Sequence, residues 1–104
     1  MTQTVYSIEE IREKLNPIFK AAPIKKAILF GSYAKGEQNA NSDVDIVIDS
    51  EGALLNINFY GVLDEITEIL DKRVDLIEIA EIRRNSPIYS VVEQEGVVLY
   101  DKQG

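Results

Sequence analysis

The chain has 104 residues, 18 of them acidic and 11 basic with no histidine, so its formal net charge is −7, and 45% of its residues are hydrophobic. That balance predicts one folded domain over residues 1–104 with a small core, and excludes a chain kept disordered by charge. With neither cysteine nor histidine present, disulfide scaffolds, zinc sites and Ser–His or Cys–His catalysis are excluded. Any metal must then sit on oxygen ligands, which suit Mg²⁺, Mn²⁺ or Ca²⁺.

Phosphate binding needs basic patches, so the acidic balance predicts no direct nucleic-acid binding and leaves a basic protein partner open. Residues 1–6 carry neither a basic stretch nor an apolar one, and no run of 18 apolar residues occurs. No membrane association is expected, and a cytoplasmic location is the default.

In chain order, Ser7-Ile8-Glu9-Glu10 has the form of a capping box, and Ile8, Ile11, Leu15, Ile18 and Phe19 recur at helical spacing. The pattern predicts a helix over 8–21, kinked or broken at Pro17. The apolar run 27–30 reads as a buried strand ending at Gly31-Ser32, followed by a turn or short helix over 33–36 and a polar loop over 37–42. A second strand is predicted over 43–49.

Phe59, Val62, Leu63, Ile66 and Leu70 give a second long helix starting near Asn56, and 74–79 forms a third strand. Ser86-Pro87 is an N-cap and first-turn pair for a last helix to Glu95. Gly96 stops that helix, and 97–100 is the final strand. Alternating helices and strands predict an α/β or α+β fold.

The chemistry is concentrated in Asp43-Val44-Asp45. Carboxylates at i and i+2 on a strand share a face, roughly 7 Å apart along the chain, and both can reach one ion. Asp75 lies in another apolar strand, and if the two strands are neighbours, a spacing of about 4.8 Å adds a third carboxylate. Three such groups can hold two Mg²⁺ ions about 3.5–4 Å apart.

Gly31-Ser32 stands ten residues before Asp43 at a strand end. Glycine lets backbone approach a phosphate, and the free amides and hydroxyl of the turn can bind it. Together these parts suit a nucleoside triphosphate with its metals, where catalysis is positioning plus electrostatic stabilisation.

Each part also has a structural reading. Gly31-Ser32 is a common turn, Asp43 a strand-start residue, and Asp75 a partner for Lys72, Arg73 or Arg83. Asp45, set between Val44 and Ile46, is costly unless paired or metal-bound. Lys35 reads as a solvated lysine or a phosphate contact, Glu78 as a surface residue, Arg83-Arg84 as a solvated pair, and Tyr89, Val91 and Val92 as core. Tyr33 either stacks on a base or closes the loop.

The segment Leu29-Phe30-Gly31-Ser32-Tyr33-Ala34-Lys35-Gly36, followed by Ser42-Asp43-Val44-Asp45-Ile46-Val47-Ile48, resembles the minimal nucleotidyltransferase (MNT) domain of the DNA polymerase β superfamily. The Gly-Ser-x10-Asp-x-Asp pattern is met without a gap, and Val74-Asp75-Leu76-Ile77 stands at the place of the family's third carboxylate. The resemblance implies a mixed sheet flanked by helices that binds Mg²⁺-ATP. It assigns two ions to Asp43 and Asp45, the acceptor-side ion to Asp75 as well, and the triphosphate to Gly31 and Ser32.

Free-standing members of this size resemble the antitoxins of HEPN/MNT toxin–antitoxin pairs. That likeness implies AMP transfer to a tyrosine of an RNA-cleaving HEPN toxin and a hetero-oligomeric complex with it. The competing expectations are an antitoxin that acts by binding alone and a small-molecule nucleotidyltransferase.

Overall fold

A computed structural model describes residues 5–54 and 56–103. The first helix, α1 (Ile8–Ala21), opens on the capping box anticipated at Ser7 and Glu10, and buries Ile11, Leu15, Ile18 and Phe19. It runs unbroken through Pro17, contrary to the expected break. Pro17 and Glu13 are both exposed, so the Glu13 carbonyl that loses its amide partner can turn to water instead.

Strand β1 (Lys26–Phe30) leads into the single-turn helix α2 (Ser32–Lys35), and β2 (Val44–Asp49) follows the polar loop. Helix α3 (Ile57–Leu70) joins β2 to β3 (Val74–Glu78). A 3₁₀ turn (Ile79–Glu81), α4 (Pro87–Glu95) and β4 (Val97–Asp101) complete the chain. Ser86 caps α4 by accepting the Tyr89 amide, with Pro87 in the first turn.

The four strands form one mixed sheet in the order β3-β2-β1-β4. β1 is antiparallel to both β2 and β4, whereas β2 and β3 are parallel, as expected when the 14-residue helix α3 crosses between them. Strand alternation divides the side chains between two faces. Ala27, Leu29, Val44, Ile46, Ile48 and Leu76 pack in one core with α1 and α3. Phe30 and Val47 pack with Val92 of α4 in a smaller second core.

The face carrying the smaller core is where the odd-numbered residues of β2 and β3 point, so Asp45 and Asp75 share it with Val47 and Ile77. Among the described residues no helix is long and apolar enough to cross a membrane.

Candidate active site

The pairing of β2 with β3 places Asp45 directly opposite Asp75, in register from Val44↔Val74 to Ile48↔Glu78. Laterally adjacent residues of neighbouring strands share a face about 4.8 Å apart. Asp43 lies just before β2, two residues from Asp45, and is exposed, as is Asp75. Asp45 is partly buried, and its carboxyl is pushed up from 3.8 to about 6, first by burial, then by the negative charges of Asp75 and Asp43. The carboxylates therefore sense one another.

On the other side of Asp45, β1 pairs Phe30 with Asp45, so the turn at Gly31 begins where the carboxylate sits. Gly31 has φ 75° and ψ −153°, a conformation open essentially to glycine alone. A Cβ built there would overlap the Asp45 carboxylate. The glycine is thus required twice, by its backbone conformation and by its neighbour.

The Gly31 carbonyl accepts the amides of Ala34 and Lys35 at 3.1 and 3.2 Å, which closes the turn of α2. The first amides of that turn, those of Ser32 and Tyr33, make no backbone hydrogen bond among the described residues. They and the partly exposed Ser32 hydroxyl are donors suited to an anion beside Asp45.

The loop before β2 is tied to itself and to its neighbour. The Asn39 amide donates to Ser42 Oγ at 2.9 Å, the Asn41 amide to Asn39 Oδ1 at 2.8 Å, and Lys72 Nζ to the Ala40 carbonyl at 3.2 Å. A cleft of about 310 Å³ lies between the two segments, lined by 40–43 and 71–73. Asp43 forms part of its wall.

All five residues expected at the site, Gly31, Ser32, Asp43, Asp45 and Asp75, stand at one end of the sheet. Asp75 makes no ion pair with Lys72, Arg73 or Arg83 among the described residues, so the structural role considered for it is not realised. Lys35 is exposed and faces Glu95 of α4 at 3.8 Å. Arg83 and Arg84 are exposed, Val92 is buried, and Tyr89 and Val91 are half-buried.

The structure decides between the two alternatives for Tyr33 and corrects the reading of Glu78. Tyr33 is fully buried in the main core, and cannot stack on a base. Glu78, read as a surface residue, is only 3% exposed. It shares strand parity with Leu76 and so points toward the core. There it accepts the Ser50 amide at 3.2 Å, the Ser50 hydroxyl and the Ala80 amide at 3.3 Å. No alternation rule reveals the Ser50 donors, because they come from the loop after β2 that folds over the end of β3.

For divalent ions the donor set is chemically suitable: hard carboxylate oxygens whose mutual repulsion a cation would relieve. Among the described residues no three carboxylates stand close enough to grip one ion as placed. Convergence of Asp43, Asp45 and Asp75 on a cation would take rotation of their side chains.

Residues 13–104 match the family model described as "Polymerase beta, Nucleotidyltransferase". The protein adenylyltransferase MntA of Aphanizomenon flos-aquae is 33% identical over an alignment covering 100% of this chain and 75% of that relative. A candidate protein adenylyltransferase of Methanocaldococcus jannaschii is 39% identical over 72 residues, 68% of this chain and 76% of its own.

Among solved structures, a toxin–antitoxin complex with AMP-PNP contains a chain of 26% identity and TM-score 0.76, covering 88% of this chain and 74% of that one. The MNT antitoxin bound to a tri-AMPylated Shewanella oneidensis HEPN toxin shares the fold, with TM-score 0.70 at 21% identity over 92% of this chain and 74% of that one. The match over residues 13–104 and the full-length likeness to MntA show that the chain belongs to the polymerase β nucleotidyltransferase family.

Proposed function

We propose that this chain is a protein adenylyltransferase and antitoxin, transferring AMP from ATP to a tyrosine hydroxyl of a HEPN-family toxin with which it forms a complex. The observation that carries the reading is the β2–β3 register, which sets Asp75 beside Asp45 with Gly31 against the Asp45 carboxylate. Support comes from the MntA relative's name and from the AMP-PNP complex of a chain of the same fold.

In this reading Gly31 and Ser32 hold the triphosphate through the turn amides and the serine hydroxyl. Asp43 and Asp45 would hold two Mg²⁺ ions, with Asp75 toward the acceptor side. Bound Mg²⁺ supplies charge stabilisation for the phosphates. The acceptor oxygen forms a bond to the α-phosphorus as the bond to the bridging oxygen of pyrophosphate breaks. The phenolic proton leaves through Asp75 to solvent. Without metal, burial and the charges of Asp75 and Asp43 push the Asp45 carboxyl up to about 6, a repulsion that a bound cation would relieve.

The test is the intact mass of the HEPN partner after incubation with this chain, ATP and Mg²⁺, beside an Asp45→Ala control. An AMP adduct formed by the wild type alone is the expected result. A stable complex without any adduct would overturn the enzymatic reading and leave an antitoxin that acts by binding.

A further inference from the structure

The β2–β3 ladder continues past its first paired residues. The Val44 amide donates to the Arg73 carbonyl at 3.0 Å, so the parallel register that pairs Val44 with Val74 and Asp45 with Asp75 extends one step further toward the site end. There Arg73 stands across from Asp43. Strand alternation puts Arg73 on the face of Asp75, two positions and roughly 7 Å away along the chain. Asp43 and Arg73 also line the same cleft of about 310 Å³.

Arg73 is exposed, and among the described residues it forms no ion pair, not even with Asp43 or Asp75. The other cation of the cleft, Lys72, is engaged with the Ala40 carbonyl and ties the two walls together. Among the described residues Arg73 is therefore the cation that lines the cleft with its charge unpaired, in a chain of net charge −7. In the reading above Asp43 would be taken up by metal, which leaves the guanidinium without a carboxylate neighbour of its own.

The strand order sets what Arg73 can reach. Across the site end of the sheet come the Gly31 turn after β1, then Asp43 and Asp45 with β2, then Arg73 and Asp75 with β3. The phosphate-binding turn and Arg73 thus flank the β2 aspartates from opposite sides, two strand spacings or about 9.6 Å apart. A triphosphate seated on the turn occupies the β1 side, and the acceptor is the reactant left for the β3 side. We propose that Arg73 seats a carboxylate side chain of the acceptor protein in this cleft and so aligns the acceptor hydroxyl with Asp75. This rests on the adenylyltransferase reading above and adds what the acceptor carries beside its tyrosine. A guanidinium grips a carboxylate through two parallel hydrogen bonds, which fix direction as well as distance. The cleft lies at the small end of the range for ligand pockets, on the scale of a side chain and its seat. Because the rest of this acidic chain repels anions, one unpaired cation makes the contact selective.

Two measurements on the whole chain with its HEPN partner test this. Arg73→Ala should raise the KM for the acceptor at least tenfold and leave the KM for ATP unchanged, while Arg73→Lys, which keeps the charge but loses the fork, recovers part of the loss. Lys102→Ala removes an exposed cation beside Lys25, at the other end of the sheet, and should change neither value. Arg73→Glu should weaken the acceptor further. A lysine placed in turn at each acidic residue around the partner's acceptor tyrosine should then restore transfer by Arg73→Glu at one position.

If Arg73→Ala transfers AMP with an unchanged KM for the acceptor, or if no lysine rescues Arg73→Glu, the docking inference is wrong and the adenylyltransferase reading stands. A raised KM for ATP with an unchanged KM for the acceptor would assign the guanidinium to the nucleotide's phosphates, which also overturns it. Absence of any AMP transfer by the wild type would remove the reading on which it rests.

Discussion

The α-carbon of Gly31 lies against the carboxylate of Asp45, so the phosphate-binding turn and the metal-binding strand of the proposed site share one contact. Any side chain at position 31 must displace Asp45 and also occupy a φ of 75°. Gly31→Ala should therefore cost about 1–3 kcal/mol of stability and lower AMP transfer about 100-fold, since displacements near 1 Å in a reacting site have that effect. Denaturant unfolding and kcat/KM measured on the same preparation check both. Unchanged kcat/KM in a folded variant would refute the shared contact.

Asp45 makes the free protein's stability depend on pH in a defined direction. Its folded carboxyl holds its proton up to about pH 6, against 3.8 as the ordinary value. The protonated form's stabilising contribution is complete below 3.8 and is lost as pH rises through about 6. Without divalent ions, Asp45→Asn should be more stable than the wild type at pH 8 by about 1 kcal/mol, a figure reduced for solvent screening at this partly exposed group. The gap should close near pH 4. Urea unfolding at the two pH values decides it, and a pH-independent gap would contradict the crowding of carboxylates around Asp45.

Much of this site was legible before any coordinates, because its parts are local or nearly so. Asp43 and Asp45 share a face through strand periodicity alone, and Gly31-Ser32 marks a turn through glycine's freedom. The meeting of Asp75 with Asp45 was only conditional, since it depends on which strands are neighbours, a fact set by the crossover through α3. Glu78 and Tyr33 were misjudged or left open for a related reason. Each owes its environment to segments distant in sequence: Glu78 to the loop beginning at Ser50, and Tyr33 to a core assembled from α1, β1 and β2.

The Glu78 cluster should be structural and separable from catalysis. Glu78→Ala leaves the buried Ser50 amide and hydroxyl without their carboxylate, a loss of about 2–3 kcal/mol for charge-assisted hydrogen bonds. Glu78 lies three positions from Asp75 along β3, about 10 Å. Calorimetry should show the lowered melting temperature, and AMP transfer per folded molecule should equal that of the wild type. A kcat reduced tenfold at full folding would instead tie this cluster to the site.

Tyr33 sits in the site's own turn yet buries its ring completely, and among the described residues its hydroxyl has no hydrogen-bond partner. A buried donor without a partner carries a desolvation cost of about 1–3 kcal/mol. Tyr33→Phe removes the hydroxyl while keeping the ring that packs α2 against the sheet. The variant should be more stable than the wild type by about 1 kcal/mol. Its KM for ATP should not change, because the ring faces the core rather than the nucleotide. Tyr33→Ala, by contrast, should destabilise the protein by about 3–5 kcal/mol through the cavity it leaves, and loosen the turn that begins at Gly31. Thermal unfolding and ATP titration of both variants decide the matter. A raised KM for ATP in Tyr33→Phe alone would show that the hydroxyl reaches the nucleotide after all.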